Sequence, residues 1–268
     1  SAAGESPPPV TVSFAPGRYP ITEAVSFTPA DSGTAAAPVV YRATEPGTAV
    51  IDGGRGITGW KKAADGSWTT TVAEARDGRW TFEQLWVNGK RAIRAREPDK
   101  FYHYMRHQAP HGIDPLTGQP ANRANRAFAG RPEDLLPLAG LPAGALHDVF
   151  LVAYHSWATS RHRIAGLDDK SATVITTGPA CWPFLQWGPS QRYHLENFRA
   201  ALDQPGEWFL AADGTLAYLP RPGETIEDID AVAPVADAFI RINGDPATGG
   251  FVEHLRFEGL AFRHSQYL

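Results

Sequence analysis

Cysteine and methionine are almost missing: Cys181 and Met105 are the only examples in 268 residues. A lone cysteine excludes an intrachain disulfide framework and a multi-cysteine zinc site, and it says nothing about compartment. No apolar run approaches the roughly 18 residues of a membrane-crossing helix. Basic blocks are lacking too. With 25 Lys and Arg against 29 Asp and Glu the formal charge is -4, which argues against nucleic acid or an anionic membrane as partner. Helical blocks of Ala, Glu, Lys and Leu are scarce. In their place 26 Gly and 23 Pro punctuate the chain, a balance that predicts many short strands and turns. No Gly-rich phosphate loop opens a helix, no Gly-x-Ser-x-Gly elbow occurs, and no cofactor is implied. The 43% hydrophobic content still supplies a real core for one large or two modest domains.

Both ends carry a message. Because Met105 is the sole methionine, Ser1 is not a translation start, and residues 1–9 read as a flexible leader left by a removed signal peptide. Secretion or a periplasmic location is the expectation. At the other end, residues 251–268 alternate apolar and polar, bend at Gly259 and alternate again, so Leu255, Phe257, Leu260 and Phe262 need partners from a stack that continues beyond Leu268.

All eight Trp residues lie between Trp60 and Trp208. The flanks share another texture, short Val, Ile and Phe strands broken by Gly and Pro, such as Val10 to Phe14, Ala24 to Phe27, Pro38 to Tyr41, Ala49 to Gly54 and Ala238 to Ile242. Two textures predict one repetitive β-architecture (10–59, resumed over 232–268) interrupted by an insertion at 60–231. Strands of three to five residues with turns between them and no crossover helix suit a parallel β-helix, whose rungs repeat at about 4.8 Å. A sandwich is the rival, but the flanks hold few two-residue hairpin turns. The insertion holds two, Asn88-Gly89 and Asp213-Gly214, each between apolar arms, and reads as an antiparallel β module. Further strands are expected at 149–154 and 171–176, helical turns at 132–136 and 196–202, and an aperiodic loop over 101–131.

Several motifs in this order resemble a known family: Ala49-Val-Ile-Asp-Gly-Gly54, Ile57-Thr-Gly-Trp60, Gln84-Leu-Trp-Val-Asn-Gly89, Arg94-Ala-Arg96, His155-Ser-Trp157, Pro205-Gly-Glu-Trp208, Leu216-Ala-Tyr-Leu-Pro-Arg-Pro-Gly-Glu224 and Phe262-Arg-His264. Together they are similar to the opening portion of secreted bacterial right-handed β-helix proteins of the pectin-lyase-like kind, in particular the family-141 glycoside hydrolases, which act as fucosidases or xylanases. The resemblance covers nearly the whole chain. It implies an all-β fold, the first rungs of a right-handed parallel β-helix interrupted by the inserted module, and a polysaccharide-directed enzyme. It also implies that the catalytic acids sit on later rungs.

Glycoside hydrolysis needs two carboxyl groups, about 5 Å apart for retention or about 6.5–9.5 Å for inversion. Asp52, Asp237, Asp245, Glu253 and Glu258 lie on the expected rungs and form no recognisable pair. Asp52, before two glycines, reads as a turn residue bonding its own backbone. Substrate-binding candidates are better. Arg94 and Arg96 share a strand face and can meet sugar hydroxyls or a uronate carboxylate; alternatively they pair with Glu97 or Glu83 to brace the module. His155 and Trp157 follow a strand end, where an imidazole and an indole suit a sugar ring, or serve as core. Trp187, beside Gly188-Pro189, is a stacking platform or the plug of a turn. His264 shares parity with Leu260 and Phe262, which points it inward, buried and neutral, whereas the family resemblance implies a place near where the cleft begins. His103, His107 and His111 would align as metal ligands on a helix, but Pro110 and Gly112 spoil it, and no metal is expected.

The expectation is the N-terminal part of a secreted glycoside hydrolase acting on plant or algal polysaccharide, inactive as this piece. Its partner is a poly- or oligosaccharide. A polysaccharide lyase and a non-catalytic glycan-binding β-helix are the alternatives, and the unpaired end of the stack predicts edge-mediated self-association.

Overall fold

The computed structural model describes residues 8–266. Most of the expected leader and the last two residues, Tyr267 and Leu268, lie outside the described residues. The chain is mostly β, arranged in several sheets. It divides into two compact units: one holds the residues up to Ile57, Phe82–Arg91 and the segment from Asp230 onward, the other Thr58–Thr81 and Ala92–Ile229. Residues 82–91, inside the expected insertion, belong to the first unit because Trp86–Val87 is hydrogen-bonded to Ala231–Pro234.

Three sheets of the first unit are parallel. Val39–Ala43 pairs on one side with Val10–Phe14 and on the other with Leu255–Glu258. Ala49–Asp52 stands likewise between Gly17–Pro20 and Ala261–Arg263, and Val25–Phe27 pairs with Ile240–Ile242. Successive passes of the chain thus lay strands on the same faces. Unslipped parallel register puts like side chain beside like: Tyr41 and Phe257 are direct partners, their rings stacked at 5.4 Å, and Phe27 meets both edge-on at 5.3 and 5.6 Å. Between Leu255–Glu258 and Ala261–Arg263 the chain bends at Gly259, whose φ of 67° is left-handed, the conformation glycine adopts without a Cβ penalty. Glu258 is ion-paired at 2.7 Å with Arg42, its neighbour in register.

A fourth sheet of this unit is antiparallel, in the order Lys90–Arg91, Trp86–Val87, Ala231–Pro234, Gly54–Ile57. Its hairpin is the Asn88-Gly89 turn. Both residues have positive φ, 53° and 71°, which matches the right-handed twist of the arms.

The second unit is built on a long antiparallel sheet ordered Arg96–Glu97, Arg192–Glu196, Phe150–Tyr154, Thr159–Asp168, Thr173–Thr176, Ala127–Ala129, His107–Gln108. Its apolar face buries Phe128, Leu151, Ile164, Val174, Tyr193 and Leu195 around Phe184. A five-stranded sheet carries the Asp213-Gly214 hairpin between Glu207–Leu210 and Thr215–Tyr218, with the Asp213 carboxylate accepting the Thr215 N–H at 2.7 Å.

Two expectations are corrected here. Residues 101–131 are not an aperiodic loop: they form short strands at His103–Tyr104, His107–Gln108, His111–Ile113, Pro120–Asn122 and Ala127–Ala129. Strands of two or three residues leave no apolar alternation to read. Arginine holds them instead, the buried Arg123 donating to the carbonyls of His111 and Ile113 at 2.7 and 3.0 Å and the half-buried Arg126 pairing with Asp114 at 2.5 Å. Arg94 and Arg96 do not share a strand. Ile93–Arg94 pairs with Glu207–Leu210 and Arg96–Glu97 with Arg192–Glu196, the chain crossing from one sheet to the other at Ala95.

Candidate functional site

In the first unit a cleft of about 640 Å³ opens beside the parallel strands, with Arg18, Asp52, Trp86, Asp230, Phe262 and His264 among its walls. Asp52 closes the strand Ala49–Asp52 and is in register with Pro20 on one side and Arg263 on the other. Only 1% of it is exposed. Its Oδ1 accepts the Gly54 N–H at 2.8 Å and lies 3.0 Å from His264 Nδ1, and its Oδ2 is ion-paired with Arg18. Burial opposes the charge. The hydrogen bonds from His264 and from the Gly54 N–H, with the positive charges of His264 and Arg18, outweigh it and hold the Asp52 carboxyl below the usual carboxylate range. The turn-residue reading is therefore half the story. Asp52 bonds its own backbone and also ties two strands to a histidine.

His264 takes left-handed φ, 61°, and its ring meets Trp86 at 4.8 Å, edge to face. The side chain turns to the wall of the cleft, not into an apolar interior. An ionised carboxylate only accepts, so Nδ1 carries a proton and donates it to Asp52; among the described residues Nε2 has no hydrogen-bond partner. This arrangement orients an imidazole over an indole. It does not supply a general acid from Asp52, whose proton is held too loosely.

In the second unit, Trp157, Trp182 and Trp187 form an aromatic cluster with ring centroids 5.0 to 5.5 Å apart. Trp157 is 70% exposed and Trp187 47%. His155 lies beneath. The Gln191 side-chain Oε1 accepts the Leu185 N–H at 2.6 Å, which turns the side-chain amide nitrogen Nε2 toward His155 Nδ1 at 3.2 Å. Nδ1 must then accept, so Nε2–H donates to Ser160 Oγ at 2.8 Å. Both nitrogens of His155 are used inside the protein, and burial pushes its pKa down. The imidazole anchors the loop that carries Trp187, in which Leu185 and Ser190 take φ of 58° and 67°.

Arg94 and Arg96 are likewise occupied. Arg94 Nε donates to Asn197 Oδ1 at 3.1 Å, and its guanidinium stands 3.9 Å from Glu196 and over the Phe150 ring at 4.7 Å. Arg96 donates to the carbonyls of Pro98 and Phe101 at 3.0 and 2.9 Å. Glu196, also paired with Arg161 and lying 3.4 Å from His194, is the hub. Burial opposes its charge, but the His194 hydrogen bond and the Arg161 and Arg94 charges bring it to about 2.

Asp99, Asp203 and Glu207 bring carboxylate oxygens within 4.8 Å of one another, a donor set of the kind hard cations take. Glu207 Oε2 already accepts the N–H groups of Asp203 and Gln204 at 3.2 and 3.0 Å. His103, His107 and His111 sit on three separate short strands, with His103 Nδ1 3.2 Å from Asp134.

A solved structure described as a glycoside hydrolase superposes on 96% of this chain with a TM-score of 0.77 and 27% sequence identity. The fold is glycoside-hydrolase-like. The chain spans 43% of that structure's length. A second structure, the complex of XylC with xylose, aligns over 95% of the chain and 30% of its own at 11% identity and a TM-score of 0.37, too distant to argue from. No protein-family model matches the chain, and no curated protein matches it.

Proposed function

We propose that this chain is part of a glycoside hydrolase that binds and cleaves polysaccharide. One observation carries the reading: the likeness to a glycoside hydrolase over 96% of the chain at a TM-score of 0.77. The finer version is a secreted bacterial protein of the right-handed parallel β-helix kind, similar to family 141, in which the first unit holds the opening rungs. The repeated parallel register of Val10–Phe14, Val39–Ala43 and Leu255–Glu258 supports it. In this reading the cleft at Asp52, Trp86 and His264 orients glycan, and the acid pair lies on strands beyond these residues. The commitment of Asp52 to Arg18, His264 and the Gly54 N–H supports that division.

The test is product chemistry on a polysaccharide panel. The longer parent protein releases reducing ends without ultraviolet absorption, and residues 1–268 bind glycan without turnover. An unsaturated, ultraviolet-absorbing product makes the protein a lyase instead. Turnover by residues 1–268 alone overturns the placement of the acids, and no release from any glycan overturns the reading.

A further inference from the structure

The small pocket beside Trp187 carries one charge, and that charge is positive. Tyr154, His155, Ser156, Trp187, Gln191 and Arg192 are among the residues lining it, and no acidic residue is. Its volume is about 150 Å³, well below the roughly 300 Å³ at which drug-sized ligand pockets begin, so it suits one ring or one charged substituent. Trp157 and Trp187 put two exposed indoles together, and the Gln191 and His155 hydrogen bonds hold the loop under them. Contiguous exposed aromatic surface on a braced frame marks a binding surface.

Arg192 decides what binds there. Its guanidinium lies over the rings of Tyr102 and Tyr154, 5.1 and 5.6 Å from their centroids. The two rings stand 68° apart, so the guanidinium makes cation–π contact with both and lies parallel to at most one, and its N–H donors remain for a planar anion. Among the described residues no hydrogen bond or ion pair engages this side chain. The contrast lies on the same strand: Glu196, four residues on, gathers Arg94, Arg161 and His194. Arg192, about 13 Å away at strand rise, is left unneutralised.

We propose that this pocket binds an acidic sugar, with the uronate carboxylate paired in plane with Arg192 and the sugar ring against Trp187 and Trp157. The inference rests on the carbohydrate-directed reading above and adds the charge of the sugar. A neutral pyranose would use the indoles and leave the exposed Arg192 N–H donors to water, without the charge pairing a carboxylate supplies.

Affinity electrophoresis tests it, with polygalacturonate or glucuronoxylan in the gel and each polymer after carboxyl reduction, which removes charge and keeps the backbone. The net charge of -4 opposes non-specific attraction to a polyanion. Expected is binding of at least one acidic polymer, about tenfold tighter than its reduced form. Arg192→Gln loses that tenfold and leaves binding to the reduced form unchanged, Arg192→Lys restores part of it, and Trp157→Ala with Trp187→Ala weakens both. All three positions are exposed, and circular dichroism with a melting curve checks folding. Equal binding of acidic and reduced forms, a silent Arg192→Gln, or no binding to either acidic polymer overturns the proposal. If neutral glycans are still bound or cleaved, only the acidic-sugar inference falls; if no glycan is, the proposed function falls with it.

Discussion

Asp52 and His264, 212 residues apart in the chain, meet at 3.0 Å, and their bond fastens the Ala49–Asp52 strand to the end of Ala261–Arg263. Asp52→Asn keeps an acceptor for the Gly54 N–H but loses the charge that Arg18 and His264 face. It should destabilise the protein at pH 7 by about 1–3 kcal/mol. The folded pKa of Asp52 lies below its unfolded value, so this stability is present above the unfolded pKa and is lost as pH falls through the folded one. Urea titrations at neutral and acid pH should show the gap between wild type and variant closing in acid, with m unchanged.

Gly54 is where the same site tolerates no side chain. A Cβ there would stand 2.4 Å from Val232 Cγ1 and 2.8 Å from His264 Cβ. Gly54→Ala should therefore cost about 1–3 kcal/mol by overpacking and turn His264 off Trp86. The urea midpoint gives the first effect, and Trp fluorescence, read as a difference from a Trp86→Phe background, gives the second.

What the sequence made legible is local. The turns at Asn88-Gly89 and Asp213-Gly214 and the bend at Gly259 are written in adjacent residues whose φ preferences decide the geometry, and all three occur. The partners of Asp52 and of His155 depend on register between distant strands, and no spacing rule reaches that far. Arg94 and Arg96 looked like one face because alternation assumes one strand. The change of sheet at Ala95 leaves no mark in composition. Arg192 leaves no signal in the sequence, because an arginine in a strand says nothing until its neighbours show whether a carboxylate answers it.

The hub at Glu196 sets the acid limit of the second unit. Three guanidinium groups, from Arg94, Arg161 and Arg163, lie within 4.9 Å of the Phe150 ring, and Glu196 answers two of them. Glu196→Ala should cost about 3–5 kcal/mol, because it leaves buried positive charge without its counterion. With the folded pKa depressed to about 2, the wild-type contribution is complete above the unfolded value near 4.5 and fades between 4.5 and 2. Melting temperatures from pH 7 to pH 2 should converge for wild type and variant only at the acid end.

Glu207 works in the opposite sense. It is 2% exposed, and its carboxyl is pushed up to about 7 by burial, with the charges of Asp99 and Asp203 adding and the N–H groups of Gln204 and Asp203 opposing. Because the folded pKa lies above the unfolded one, stability falls as pH rises from about 4.5 to 7, and the full penalty stands at pH 8. Glu207→Gln keeps an oxygen for both backbone N–H groups and carries no charge. It should raise the melting temperature at pH 8, by several degrees if even about 1 kcal/mol of the penalty is relieved, and change nothing near pH 4. A divalent cation held among Asp99, Asp203 and Glu207 would reverse this: calcium would then protect the wild type and not Glu207→Gln. A melt at pH 8 with calcium and with chelator, on both proteins, separates a repelling carboxylate cluster from a metal site.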